Sequence, residues 1–233
     1  MTAGSSPPAR DVIMAALGTV RDPELDEPVT DLGFVAALTV RGGWVDVALR
    51  LPTYFCAPNF AWLMIADATS AVQSIPGVTH AEVRLVDHFA ADEINDGVAD
   101  GQGFGETFAG LADGELDELR QVFRRKALAA RQDRLCRAML AAGITPEELA
   151  RQQLADLPDC EETEKYLQRR AELGVDVSAD APLLVDTSGT AVSSEQAAFY
   201  LRRLRIIGVS VEGNAGFCRS LLATRYANVR SNA

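Results

Sequence analysis

The chemistry of this sequence centres on Cys56, set in Leu51-Pro52-Thr53-Tyr54-Phe55-Cys56-Ala57-Pro58-Asn59 between a segment of alternating apolar residues and one with helical spacing. A thiolate is a soft ligand suited to iron and iron–sulfur clusters, and a helix N-terminus following it lowers the thiol pKa. Upstream, Asp22-Pro23-Glu24 places two carboxylates either side of a ring that fixes the chain. They read either as secondary metal groups beside the thiolate or as acids in a helix-ending turn. His88, on the Asp87-His88 step after the third expected strand, is the remaining candidate metal ligand, whereas His80 reads as a surface residue. As a nucleophile Cys56 would need a general base, for which His88 is the nearest candidate; the expectation is nevertheless that the protein is not an enzyme.

The other cysteines, Cys136, Cys160 and Cys218, form no Cys-x-x-Cys pair and no His/Cys cluster at zinc-site spacing, and burial is the reading for all three. Asp186-Thr187-Ser188-Gly189-Thr190 invites a protease or phosphoryl-acceptor reading but lacks the partner residues either needs, so a turn is expected. From Asp92 to Gly105 the composition changes to Asp, Glu and Gly, and Gly101-Gln102-Gly103-Phe104-Gly105, which follows no convincing strand, is read as part of a linker rather than a phosphate loop.

The elements that position Cys56 follow from periodicity. Val12, Ile13, Ala16, Leu17 and Val20 give a short helix, stopped at Asp22-Pro23. Residues 34–40 and the alternating Val45, Val47, Leu49 and Leu51 flank Gly42-Gly43 and predict a β-hairpin. Asn59 is expected to cap a helix reaching about Ile75, and Pro76-Gly77 precedes a strand over 78–86. The fold class is therefore α/β (α+β) with helix-strand-strand-helix-strand order and a three-stranded sheet, joined to a mainly α-helical C-terminal domain. The expected boundaries are a disordered N-terminus over 1–9, a domain over 10–91, a linker over 92–105 and a helical domain over 106–233. In that domain Arg120, Arg124, Arg125, Lys126 and Arg131 read as a solvated face or a docking surface, Pro182 to Val185 as a strand, and Ser193 with Gln196 as the start of a helix.

With 33 acidic against 22 basic residues and a formal charge of −11, the chain would repel a nucleic-acid backbone or an anionic membrane surface. Met1 to Pro8 is small and polar, and no stretch reaches the roughly 18 apolar residues of a membrane span. The expectation is a cytoplasmic protein with neither nucleic acid nor membrane as partner.

Residues 10 to about 90 resemble the metal–sulfur (iron–sulfur) cluster assembly domain family of SufT-like and PaaD-like proteins. The resemblance lies in the order of a helix, Asp22-Pro23-Glu24, Asp31-Leu32-Gly33-Phe34-Val35 leading into a hairpin, a loop cysteine before a helix, and Pro76-Gly77-Val78 leading into the last strand. The family commonly shows Thr-x-x-x-Cys-Pro, whereas here Thr53 is three residues before Cys56 and Ala57 precedes Pro58. The resemblance implies a maturation factor that delivers iron or a transient, labile iron–sulfur cluster to a client metalloprotein, with a multicomponent oxygenase component as the suggested client. One thiolate cannot hold a cluster that usually has four ligands, so a homodimer, the client or a small thiol would supply the rest. The alternative is a metal-free chaperone or adaptor binding a metalloenzyme client.

Overall fold

A computed structural model of the chain describes residues 7–108 and 113–227. The part of the expected disordered N-terminus over 1–6 lies outside the described residues. The chain divides into two compact units, Met1–Asp117 with Ala215–Ala233, and Glu118–Asn214.

In the first unit α1 (Arg10–Leu17) buries Ile13 and Leu17 and is followed by β1 (Val35–Arg41) and β2 (Trp44–Arg50), which pair antiparallel with Leu38 opposite Val47 and Val40 opposite Val45. The hairpin turns at Gly42, whose φ of 62° suits glycine, and at Gly43, where a Cβ would stand 2.8 Å from the Gly77 carbonyl oxygen. Helix α2 (Pro58–Gln73) crosses back so that β3 (His80–Val86) lies parallel to β2, giving the sheet order β1-β2-β3. Val45, Val47 and Leu49 of β2 and Val83 and Leu85 of β3 point into the core, where Ala61, Met64, Ile65, Ala68 and Val72 of α2 cover them. This is the expected fold class and order.

The stretch expected to be a linker is structured. Helix α3 (Ala91–Ala99) fully buries Ile94, and the short α4 (Phe104–Thr107) buries Phe104. The Asn95 side chain accepts from the Leu85 backbone N–H at 2.8 Å and donates to the Leu85 carbonyl at 3.0 Å, supplying partners that an edge strand otherwise lacks. The acidic composition that suggested a linker belongs to the outer side of α3, where Asp92, Glu93 and Asp96 are exposed. The expected domains over 10–91 and 106–233 also differ from the compact units in their C-terminal part: Ala215, Leu222 and Tyr226 join the core of the first unit.

The second unit takes α5 (Asp113–Ala141) from Glu118 onward, α6 (Pro146–Leu149), a 3-10 turn at Leu154–Asp156, α7 (Glu161–Glu172), and α8 (Ser194–Arg225) as far as Asn214. The basic run of α5 is not a single solvated face, because Arg131 is buried and donates to the Lys165 carbonyl. Its neighbour Gln132 bonds the Val185 backbone through both amide atoms and accepts from the Tyr166 hydroxyl at 2.7 Å. Pro182 to Val185 is not a strand: Pro182 and Val185 make only isolated bridges, to Gln153 and Ala191. The Asp186 loop is a turn closed by its own carboxylate, which accepts from the N–H groups of Ser188 and Thr190. Among the described residues no helix is long and apolar enough to cross a membrane.

Candidate functional site

Strand β2 ends at Arg50, and the chain then passes through buried Leu51 and Pro52 into the loop carrying Cys56. Helix α2 begins two residues earlier than expected: Ala57, not Asn59, is its N-cap and Pro58 its first residue, where the fixed φ of proline suits the helix and its missing N–H costs nothing. Asn59 lies inside the first turn, its carboxamide oxygen 2.9 Å from the Phe60 N–H. Cys56 is half-buried, packed against the core of the first unit, with its Sγ 3.3 Å from the Thr53 hydroxyl.

His88 fixes the loop from the other side. The Ala90 N–H can only donate, so Nδ1 accepts from it at 3.2 Å and Nε2 carries the proton that is given to the Cys56 carbonyl oxygen at 2.7 Å. Both ring nitrogens of this buried residue are thus engaged, and burial lowers its pKa below the ordinary imidazole value, in keeping with a neutral ring. His88 is brought to Cys56, as the sequence suggested, but it holds the backbone and does not offer a lone pair to a metal or to the thiol.

The Asp22 turn is built by its own side chain. Asp22 Oδ1 accepts from the N–H groups of Glu24 and Leu25, each at 2.9 Å, while the Asp22 N–H donates to the Glu27 carbonyl. Pro23 fixes the step between them, and Asp26 closes the turn with φ 53°. Asp22 is 9% exposed, and burial raises the pKa of its carboxyl group to about 6.

Two groups were missed in the sequence. Tyr54 and Phe55 in the loop and Phe89 beside His88 form an exposed aromatic patch, with Tyr54 and Phe55 edge to face at 5.0 Å and Phe55 and Phe89 at 5.8 Å. Their signal was present as three aromatics flanking the candidate ligands. The second is Cys218, on the part of α8 that belongs to the first unit. Burial pushes its thiol up to about 11, and the charges of Asp22, Cys56 and Glu24 act on it in the same direction. Cys218 therefore lies within electrostatic reach of the Asp22 turn and of Cys56. Among the described residues no group of three or more His, Cys, Asp or Glu side chains is arranged to hold a metal ion.

Residues 10–84 match the model of the family described as iron-sulfur cluster assembly protein, so the resemblance read from the sequence holds over the segment containing Asp22, Glu24 and Cys56. That segment, with its helix-strand-strand-helix-strand order, is similar to an iron–sulfur cluster assembly domain. The chain is also similar to an iron-sulfur cluster carrier protein of Synechocystis sp., with 31% identity over 75 residues, covering 32% of this chain and 21% of that relative. It spans about a fifth of the length of the curated relative that it matches. His88 and Cys218 lie beyond the segment matched by the family.

Proposed function

We propose that this protein is an iron–sulfur cluster or iron assembly factor that takes up its cargo at Cys56 and passes it to a client metalloprotein. The observation that carries the reading is a half-buried thiol on the cluster-assembly segment, in a loop whose backbone His88 holds and whose rim is an exposed aromatic patch. On uptake the Cys56 thiol gives its proton to solvent as the sulfur–iron bond forms. On delivery a client thiolate replaces it at iron, with no net oxidation or reduction. Few ligands from the carrier make such an exchange fast, because a cluster usually needs four. The chain acts by transfer rather than by turnover of a small substrate: His88, the nearest candidate for a base, has both nitrogens engaged. A multicomponent oxygenase component as client belongs to this proposal on the family resemblance alone; a second copy of the chain belongs to it as a source of the ligands that one thiolate lacks, and a cytoplasmic location as the expectation from the sequence.

Anaerobic reconstitution with iron and sulfide tests it, read by the visible sulfide-to-iron charge-transfer band and by iron and sulfide analysis. The band is expected in wild type and not in Cys56→Ala; an equal band in both overturns the role of Cys56. A second reading, a metal-free adaptor, is favoured by the Tyr54, Phe55 and Phe89 patch, whose exposed rings suit a protein partner. Client binding that is equally tight with and without iron would support it.

A further inference from the structure

The C-terminal part of α8 is tied to the elements that carry the candidate site at several points along its length. Ala215, Leu222 and Tyr226, on one helical face, enter the same core as β2 and α2, and Cys218, on that face, packs against this core as Cys56 does. Next to Cys218, Arg219 pairs with Glu27 in the Asp22 turn. Two turns further on, Arg225 donates to the carbonyl of Leu51 at 3.2 Å, where the Cys56 loop begins, and to that of Asp87 at 2.7 Å, beside His88. A Cβ on Gly33 would stand 3.4 Å from Leu222. Helix α8 is thereby held over the Asp22 turn and the Cys56 loop together, and Cys218 is its thiol on that side.

We infer that Cys218 is a second thiolate of the cargo site, so that one chain offers the pair Cys56 and Cys218 to a thiophilic metal or cluster. The inference rests on the carrier reading above. No other cysteine competes for the role within the unit, since Cys136 and Cys160 belong to the other one. Each thiol releases its proton to solvent as its bond to the metal forms. Two protein ligands leave positions for a client or small thiol, which lets the cargo be handed over ligand by ligand.

The test is an anaerobic titration of the full chain with cadmium(II), whose thiolate complexes absorb in the ultraviolet in proportion to the thiolates bound. It is run on wild type, Cys56→Ala, Cys218→Ala and Cys160→Ala. Wild type and Cys160→Ala are expected to show the same tight two-thiolate band. Cys56→Ala and Cys218→Ala are each expected to lose half of that band or more and to bind at least about tenfold more weakly. If Cys56→Ala is impaired and Cys218→Ala is not, the second thiolate is overturned while the carrier reading stands. If neither variant differs from wild type, or wild type shows no band, both fall. Should a variant fail to fold by circular dichroism, alkylation of wild type decides: cadmium is expected to protect Cys56 and Cys218 together, and protection of Cys56 alone overturns the inference.

Discussion

His88 donates from Nε2 to the carbonyl oxygen of Cys56 at 2.7 Å, joining the loop after β3 to the loop after β2 at the residue that carries the candidate ligand. The imidazole acts on the backbone of Cys56, so its effect on the thiol is one of position.

Replacing His88 by Ala removes the donor to the Cys56 carbonyl and the acceptor for the Ala90 N–H. The expected cost is about 1–3 kcal/mol of unfolding free energy, measured by urea denaturation, with weaker cluster loading in the folded protein. His88→Gln keeps a donor of similar reach and is expected to recover a large part of both.

The same residue gives a pH dependence. Its folded pKa is lowered, chiefly by burial, so its contribution to stability is present above the ordinary imidazole value of 6.5 and is lost as pH falls through the folded value. The urea midpoint of wild type is expected to drop on acidification below about pH 6.5, more steeply than that of His88→Gln. Parallel curves for the two proteins would remove His88 as the source.

Asp22 works in the opposite sense. Its pKa is raised by burial from 3.8 to about 6, so its favourable contribution is complete below pH 3.8 and is lost as pH rises through about 6. The difference in unfolding free energy between Asp22→Asn and wild type is expected to move in favour of the variant, by an amount on the order of 3 kcal/mol at most, between pH 4 and pH 7. An asparagine oxygen can still accept from the Glu24 and Leu25 N–H groups, so the turn is kept. Denaturant titrations at the two pH values measure the shift.

Leu222→Ala tests whether the C-terminal helix completes the first unit. Leu222 is buried in the core that also contains Phe34, Leu49 and Leu51, and its truncation is expected to cost about 2–5 kcal/mol. Faster amide exchange in residues 51–56 should accompany the loss, since the same helix holds the Leu51 carbonyl through Arg225.

Phe55 is 76% exposed, so Phe55→Ser is expected to leave stability within about 0.5 kcal/mol of wild type. If the aromatic patch receives the client, cluster transfer should slow while cluster loading is unchanged. An unchanged transfer rate, followed by the visible spectrum of the acceptor, would leave the patch without that role.

What could be read along the chain was what neighbouring residues decide. Alternation over Val45, Val47 and Leu49 gave β2, the Gly42-Gly43 pair gave the hairpin, and Pro23 beside Asp22 marked a turn that the aspartate side chain indeed closes. Period and turn chemistry are local, so they are visible without the fold. The start of α2 was displaced by two residues because Pro58 satisfies the first helical position without a side-chain cap. The acidic stretch after β3 was misread because composition alone does not reveal that Ile94 has a core to enter or that Asn95 meets the edge of β3. The role of His88 and the placement of Cys218 depend on contacts between distant segments, which no local pattern encodes. Cys56 was legible as a candidate ligand from its loop; that a helix from the other end of the chain brings a second thiol towards it was decided only by the packing of Leu222 and Tyr226 into the first unit's core.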